Sequence, residues 1–138
     1  MTASDLTFPV ICIYKGTIFT SSTLDALTQT TTAAINGGLF DGLQIVDSSG
    51  KIYTVKSVKK LHGIGPFCGF NIFLNRTVRV KIEFEDGHET LGVDDVRRIV
   101  IGDFQRWQGW QTREDFDQLK TSVEKASTVA EIIRLICT

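Results

Sequence analysis

Along the chain, the clearest run of alternating character joins Val78, Val80, Ile82 and Phe84 to Arg79, Lys81, Glu83 and Glu85. A period of two places successive side chains on opposite faces, so it predicts a strand with one buried and one wet face. Asp86-Gly87-His88-Glu89 follows and predicts a turn back into a strand at Thr90–Val93. A loop of that length would set Phe84 opposite Leu91 and Ile82 opposite Val93. Pro9-Val10-Ile11-Cys12-Ile13 is apolar without a break, which predicts a strand over Phe8–Tyr14 covered on both faces, with Cys12 inside. Leu43–Val46 and Ile52–Val58 flank Asp47-Ser48-Ser49-Gly50 and read as a hairpin. Val96–Ile101 reads as a last strand.

Helical periodicity is confined to the two ends. Ser22-x-x-Asp25 resembles a capping box, Leu24, Leu27, Ala34 and Ile35 fall roughly on one face, and Asn36-Gly37-Gly38 ends the segment. Near the C-terminus, Thr112-x-x-Asp115 precedes Phe116, Leu119 and Val123. Thr128-x-x-Glu131 precedes Val129, Ile132, Ile133 and Ile136. Strand segments followed by a run of helices predict an α+β domain spanning 1–138, with an antiparallel sheet of five to six strands, one N-terminal helix and two C-terminal helices packed on it.

Composition narrows the functional classes. No apolar run approaches the ~18 residues that span a bilayer, and the N-terminus lacks the basic start of a signal peptide. The cysteines, Cys12, Cys68 and Cys137, are odd in number and scattered, which fits a reducing cytoplasm better than a disulfide framework. Asn75-Arg76-Thr77 matches a glycosylation acceptor, and in a chain without a secretion signal the match is read as chance.

Candidate chemistry concentrates in Lys59–Phe70, KKLHGIGPFCGF. His62 and Cys68 are the residue types of a thiol hydrolase, but nucleophilic catalysis also needs an orienting partner for the histidine, and none can be assigned. Gly63-x-Gly65-x-x-x-Gly69 matches no phosphate-loop spacing, and Pro66 removes an amide donor. The glycines read instead as hinges that let Phe67 and Phe70 reach the core, with Cys68 as a small apolar filler. His62, His88 and the cysteines show no metal-ligand spacing, so neither a metal nor another cofactor is expected. Asp94-Asp95 read as a turn between strands, and Glu114, Asp115 and Asp117 as acids of a first helical turn. Phe104, Trp107 and Trp110 recur every third residue and read as packing, with one tryptophan partly exposed.

Charge is divided along the chain although the net charge is only -1. Lys51, Lys56, Lys59, Lys60, Arg76, Arg79 and Lys81 form a basic block without acids, followed by Glu83, Glu85, Asp86, Glu89, Asp94 and Asp95 without a lysine or arginine. The bland account is cross-strand pairing of opposite charges. The functional account is a binding protein of inhibitor or immunity type, whose acids dock on the basic surface of a toxin or enzyme, with Trp107 and Trp110 as anchors. The alternative uses Lys56, Lys59, Lys60, Arg76, Arg79 and Lys81 on nucleic acid, which the near-neutral total and the lack of a known motif disfavour.

Overall fold

The computed structural model describes residues 1–63 and 77–137. Cys68, Phe67, Phe70 and Arg76 therefore lie outside the described residues. After a single 3₁₀ turn at Ala3–Asp5 come β1 (Val10–Tyr14), β2 (Thr17–Ser21), α1 (Leu24–Leu27), β3 (Gln29–Thr31), α2 (Thr32–Asn36), β4 (Gln44–Val46) and β5 (Lys51–Gly63). The second half adds β6 (Thr77–Phe84), β7 (Glu89–Thr90), α3 (Val93–Arg106), α4 (Gln108–Gln111), α5 (Phe116–Lys125) and α6 (Val129–Ile136). The fold is α+β, on an antiparallel sheet of seven strands curled as a half-barrel in the order β2-β1-β4-β5-β6-β3, with β7 also on β5.

The sheet is a middle layer between two apolar clusters. Val10, Cys12, Ile45, Tyr53, Val55, Val78, Val80, Ile82 and Phe84 point inward, where Leu6, Leu27, Phe40 and Leu43 close the inner core. Ile11, Ile18 and Val46 point outward and pack under α3, α5 and α6 through Val96, Val100, Phe104, Leu119, Val123, Ile132, Ile133 and Ile136. Val10, Ile11 and Cys12 in β1 are all fully buried, as the unbroken apolar run requires of a strand covered on both faces. Strand β6 keeps its alternation: Val78, Val80, Ile82 and Phe84 are buried, and Lys81 and Glu83 are exposed.

Several sequence expectations are corrected. The predicted helix from Ser22 to Ile35 divides into α1 and α2 around β3, because Thr28–Thr31 is β-branched at three of its positions and is captured by β6, with Gln29 opposite Arg79 and Thr31 opposite Thr77. The caps are also shifted, Thr23 serving α1 and Thr31 serving α2. Strand β2 was not foreseen. Lys15 (φ 49) and Gly16 (φ 80) make a two-residue turn with both φ positive, which folds Thr17 back onto Tyr14.

The predicted strand Val96–Ile101 is part of helix α3. Its β-branched residues imitate a strand, but Val96, Val100 and Phe104 stand four apart and bury together, so the helical period prevails. Asp94 and Asp95 accordingly occupy a first helical turn, where Asp95 Oδ2 accepts from the Gly92 N–H at 2.9 Å. The expected β6–β7 hairpin is absent. Strand β7 lies on β5, with Glu89 opposite Ile52 and Thr90 opposite Lys51, while β6 pairs the same strand from Phe84–Val55 onward. The two are thus in line along one side of β5, and Asp86–His88 is an excursion between them rather than a reversal.

At the C-terminus, Thr112 does not cap α5; its hydroxyl donates to the Gly109 carbonyl at 3.1 Å, at the end of α4. Helix α6 begins as its sequence predicts, with Thr128 Oγ1 accepting from the Glu131 N–H at 3.1 Å.

Candidate interaction surface

The outward side of the sheet is only partly roofed by helices. Ile11, Ile13, Val46 and Ile52 pack beneath them, whereas the outward side chains of β6 and of distal β5 meet no helix of that cluster. Cross-strand register orders this face. Ser57 stands opposite Glu83, Lys59 opposite Lys81, and His62 opposite Arg79, with a register shift between Lys60 and His62. Because residues two apart share a face, Arg79, Lys81, Glu83 and Glu85 form a row along β6 whose sign changes midway.

At the acidic end, Phe84 is the last paired residue of β6, and the Glu85 N–H still donates to the Thr54 carbonyl at 2.8 Å. The chain then swings out through Asp86, Gly87 and His88, with Gly87 at φ 81. A cleft of about 260 Å³ results, lined by Gln44, Ile52, Thr54, Glu85, Asp86, Gly87, His88 and Glu89. The His88 ring lies 5.2 Å from that of Tyr53, which fastens the excursion to the inner core. Glu85, Asp86 and Glu89 are exposed and make no ion pair with a described residue.

The other acids of the block are matched. Glu83 approaches Lys81 at 3.7 Å on its own strand. Asp94 binds Arg97, and Asp95, which also caps Gly92, lies 3.9 Å from Arg98. The six acids therefore separate into an unpaired group on the excursion and a group occupied by β6 and by the start of α3.

The tryptophans separate in the same way. Trp110 packs its ring 4.9 Å from Phe104, donates from Nε1 to Asp103 Oδ2 at 2.7 Å, and lies under the Arg113 guanidinium at 5.6 Å. Trp107, at the junction of α3 and α4, is 47% exposed. That distribution is the packed arrangement with one exposed ring read from the sequence, although the packing is against helices.

Among the described residues of the basic block, Arg79 is the most engaged. Its Nη1 donates to the Asp25 carbonyl at 2.7 Å and to Thr28 Oγ1 at 2.9 Å, and it stands 3.7 Å from the Asp25 carboxylate. Lys56, Lys59 and Lys60 are exposed and form no ion pair with a described residue. His62 is exposed, with Nδ1 3.0 Å from the Gly63 carbonyl. The thiol chemistry that sequence spacing raised depends on Cys68, outside the described residues. Cys12 is fully buried, and that burial, reinforced by nearby Cys137, pushes its thiol up to about 12, the reverse of what a nucleophile needs. Among the described residues no three histidine, cysteine or acidic side chains converge as metal ligands, and no helix is long and apolar enough to cross a membrane.

Sequence reasoning missed Asp103. Only 3% exposed, it accepts from the Ile18 N–H at 3.3 Å and from Trp110. An isolated acid within an apolar helical period is the signal that could have found it, had Val96–Ile101 been read as helix.

No family model, curated protein or solved structure matches this chain.

Proposed function

We propose that the protein is a non-enzymatic binding module of inhibitor or immunity type, acting in the cytoplasm, which occludes a toxin or enzyme by docking its acidic excursion on that partner's basic surface. The observation that carries this reading is the separation of the acids: Glu85, Asp86 and Glu89 remain exposed and unmatched around one cleft. Sheet stability gives no reason to gather like charges there, whereas a cationic partner does. Glu83 extends the same face, Asp94 and Asp95 belong to the α3 start, and Trp107 supplies an exposed aromatic contact. Trp110 acts by holding the α3–α4 junction.

The test is capture from source-cell extract at low salt, followed by association kinetics with the purified partner. The Glu85→Lys, Asp86→Lys, Glu89→Lys triple variant is expected to associate at least about tenfold more slowly, a difference that shrinks as salt screens the charges. Failure to hold any partner, or equal binding by a folded triple variant, overturns the proposal.

A further inference from the structure

The opposite end of the same face carries a second and independent arrangement. Lys59 and Lys81 are directly paired across β5 and β6, both exposed. Like charges in register destabilise a sheet. His62 and Arg79 form the next pair of the row, while Lys60, opposite Val80, belongs to the other face. Beyond Arg79 the row continues with Gln29 and, opposite Thr77, Thr31. The Cβ positions of Lys59 and Lys81 are thus about 5 Å apart across the strands, and those of Arg79 and Lys81 about 7 Å apart along β6, flanked by amide and hydroxyl side chains.

We propose that this face, with the exposed pair Lys59 and Lys81 at its centre and His62 and the α1-held Arg79 beside them, binds the sugar–phosphate backbone of a double-stranded nucleic acid. The face is a sheet surface spanning β5, β6 and β3, which meets a duplex through its phosphates rather than by entering a groove. Lysine, arginine and glutamine with threonine hydroxyls are the donor set that engages phosphate oxygens without reading sequence. Glu83 forms one half-exposed pair with Lys81 at 3.7 Å, a geometry of little energetic weight, whereas Arg79, only 24% exposed, is held beside the face by Asp25 and Thr28 and adds its charge from there. Lys59 has no such partner among the described residues. An acidic polypeptide presents the same charge to this face, and poly-glutamate separates it from the duplex in the test.

The full chain is titrated into a fluorescent duplex of ~20 base pairs at about 50 mM salt and read by anisotropy. Three phosphate contacts predict a slope of log K against log salt of about -2.7, equal for unrelated sequences. Lys59→Glu with Lys81→Glu is expected to weaken binding at least about tenfold and to flatten the slope by about 1.8. Lys125→Glu, at the exposed end of α5, leaves affinity within about twofold, and the acidic-excursion triple variant retains duplex binding. Unfolding midpoints confirm that each variant is folded. Absence of binding, equal binding by the double variant, equal loss in Lys125→Glu, or tighter binding of poly-glutamate than of duplex each overturns the proposal.

Discussion

Asp103 shows how one side chain can join three elements. Strand β2 is an edge strand, and edges expose backbone donors that invite pairing with other chains. Asp103 of α3 takes the Ile18 N–H from that edge and, through its second oxygen, the Trp110 indole of α4. Asp103→Ala leaves two donors without an acceptor and is expected to cost about 2–6 kcal/mol, since each unsatisfied buried group costs roughly 1–3. Asp103→Asn keeps one acceptor oxygen and should cost about half as much; urea unfolding midpoints of the two variants check the order. Asp47 performs a comparable task in the β4–β5 turn. Its Oδ1 accepts from the Ser49 N–H at 3.0 Å, the Ser49 hydroxyl at 2.6 Å and the Lys51 N–H at 3.2 Å, and its Oδ2 from the Thr7 N–H at 3.2 Å. The Asp-Ser-Ser-Gly pattern made the turn legible; the tie to Thr7, forty residues away, is written nowhere in that pattern.

At the scale of elements, legibility followed how far a segment's own period agreed with its packing. Strand β6 and helix α6 could be read directly because their buried positions recur at periods of two and 3.6. Helix α3 could not, because Arg97-Arg98-Ile99-Val100-Ile101 has strand-like composition while the decisive contacts, Val96 and Phe104, lie at or beyond its ends. Strand β3 is short and lacks apolar alternation, and only its seat beside β6 makes it a strand. Of the interaction surface, the acids and cations were visible in the sequence, and so was the change of sign along β6. Their division into matched and unmatched groups was not, because Arg97, Arg98 and the Gly92 cap become partners of Asp94 and Asp95 only once α3 forms. The β4–β5 hairpin also meets the end of β7 closely: Gly50 has φ 89, and a Cβ there would stand 2.7 Å from the Leu91 carbonyl oxygen. Gly50→Ala should therefore lower stability by about 1–3 kcal/mol through backbone strain and that clash, measurable as a reduced thermal midpoint.

For the molecule as a whole, the sheet is a partition with Cys12 on its inner side and Ile11 on its outer, so both cores share one strand. Burial raises the Cys12 thiol to about 12 from an ordinary value near 9.0. Between those values the unfolded chain loses a proton that the folded chain keeps, so stability falls as pH rises, by about 1.4 kcal/mol per unit. Burial also raises the Tyr53 hydroxyl, with Asp47 and Asp5 adding to the effect, and steepens the decline above pH 10. Denaturant unfolding of Cys12→Ala should show a flatter dependence between pH 9 and 10, with the tyrosine-linked fall above that range retained.

The in-line relation of β6 and β7 has a consequence for how such a surface diversifies. Both strands are anchored independently on β5, and Asp86–His88 leaves the ladder after one and rejoins it before the other. Residues inserted or removed there alter neither register, and a side chain at Gly87 would meet nothing within 4 Å, so that its φ of 81 alone favours glycine. The excursion is thus a place where length and charge can drift while the sheet stays fixed, so that selectivity for a partner can change without renegotiating the fold.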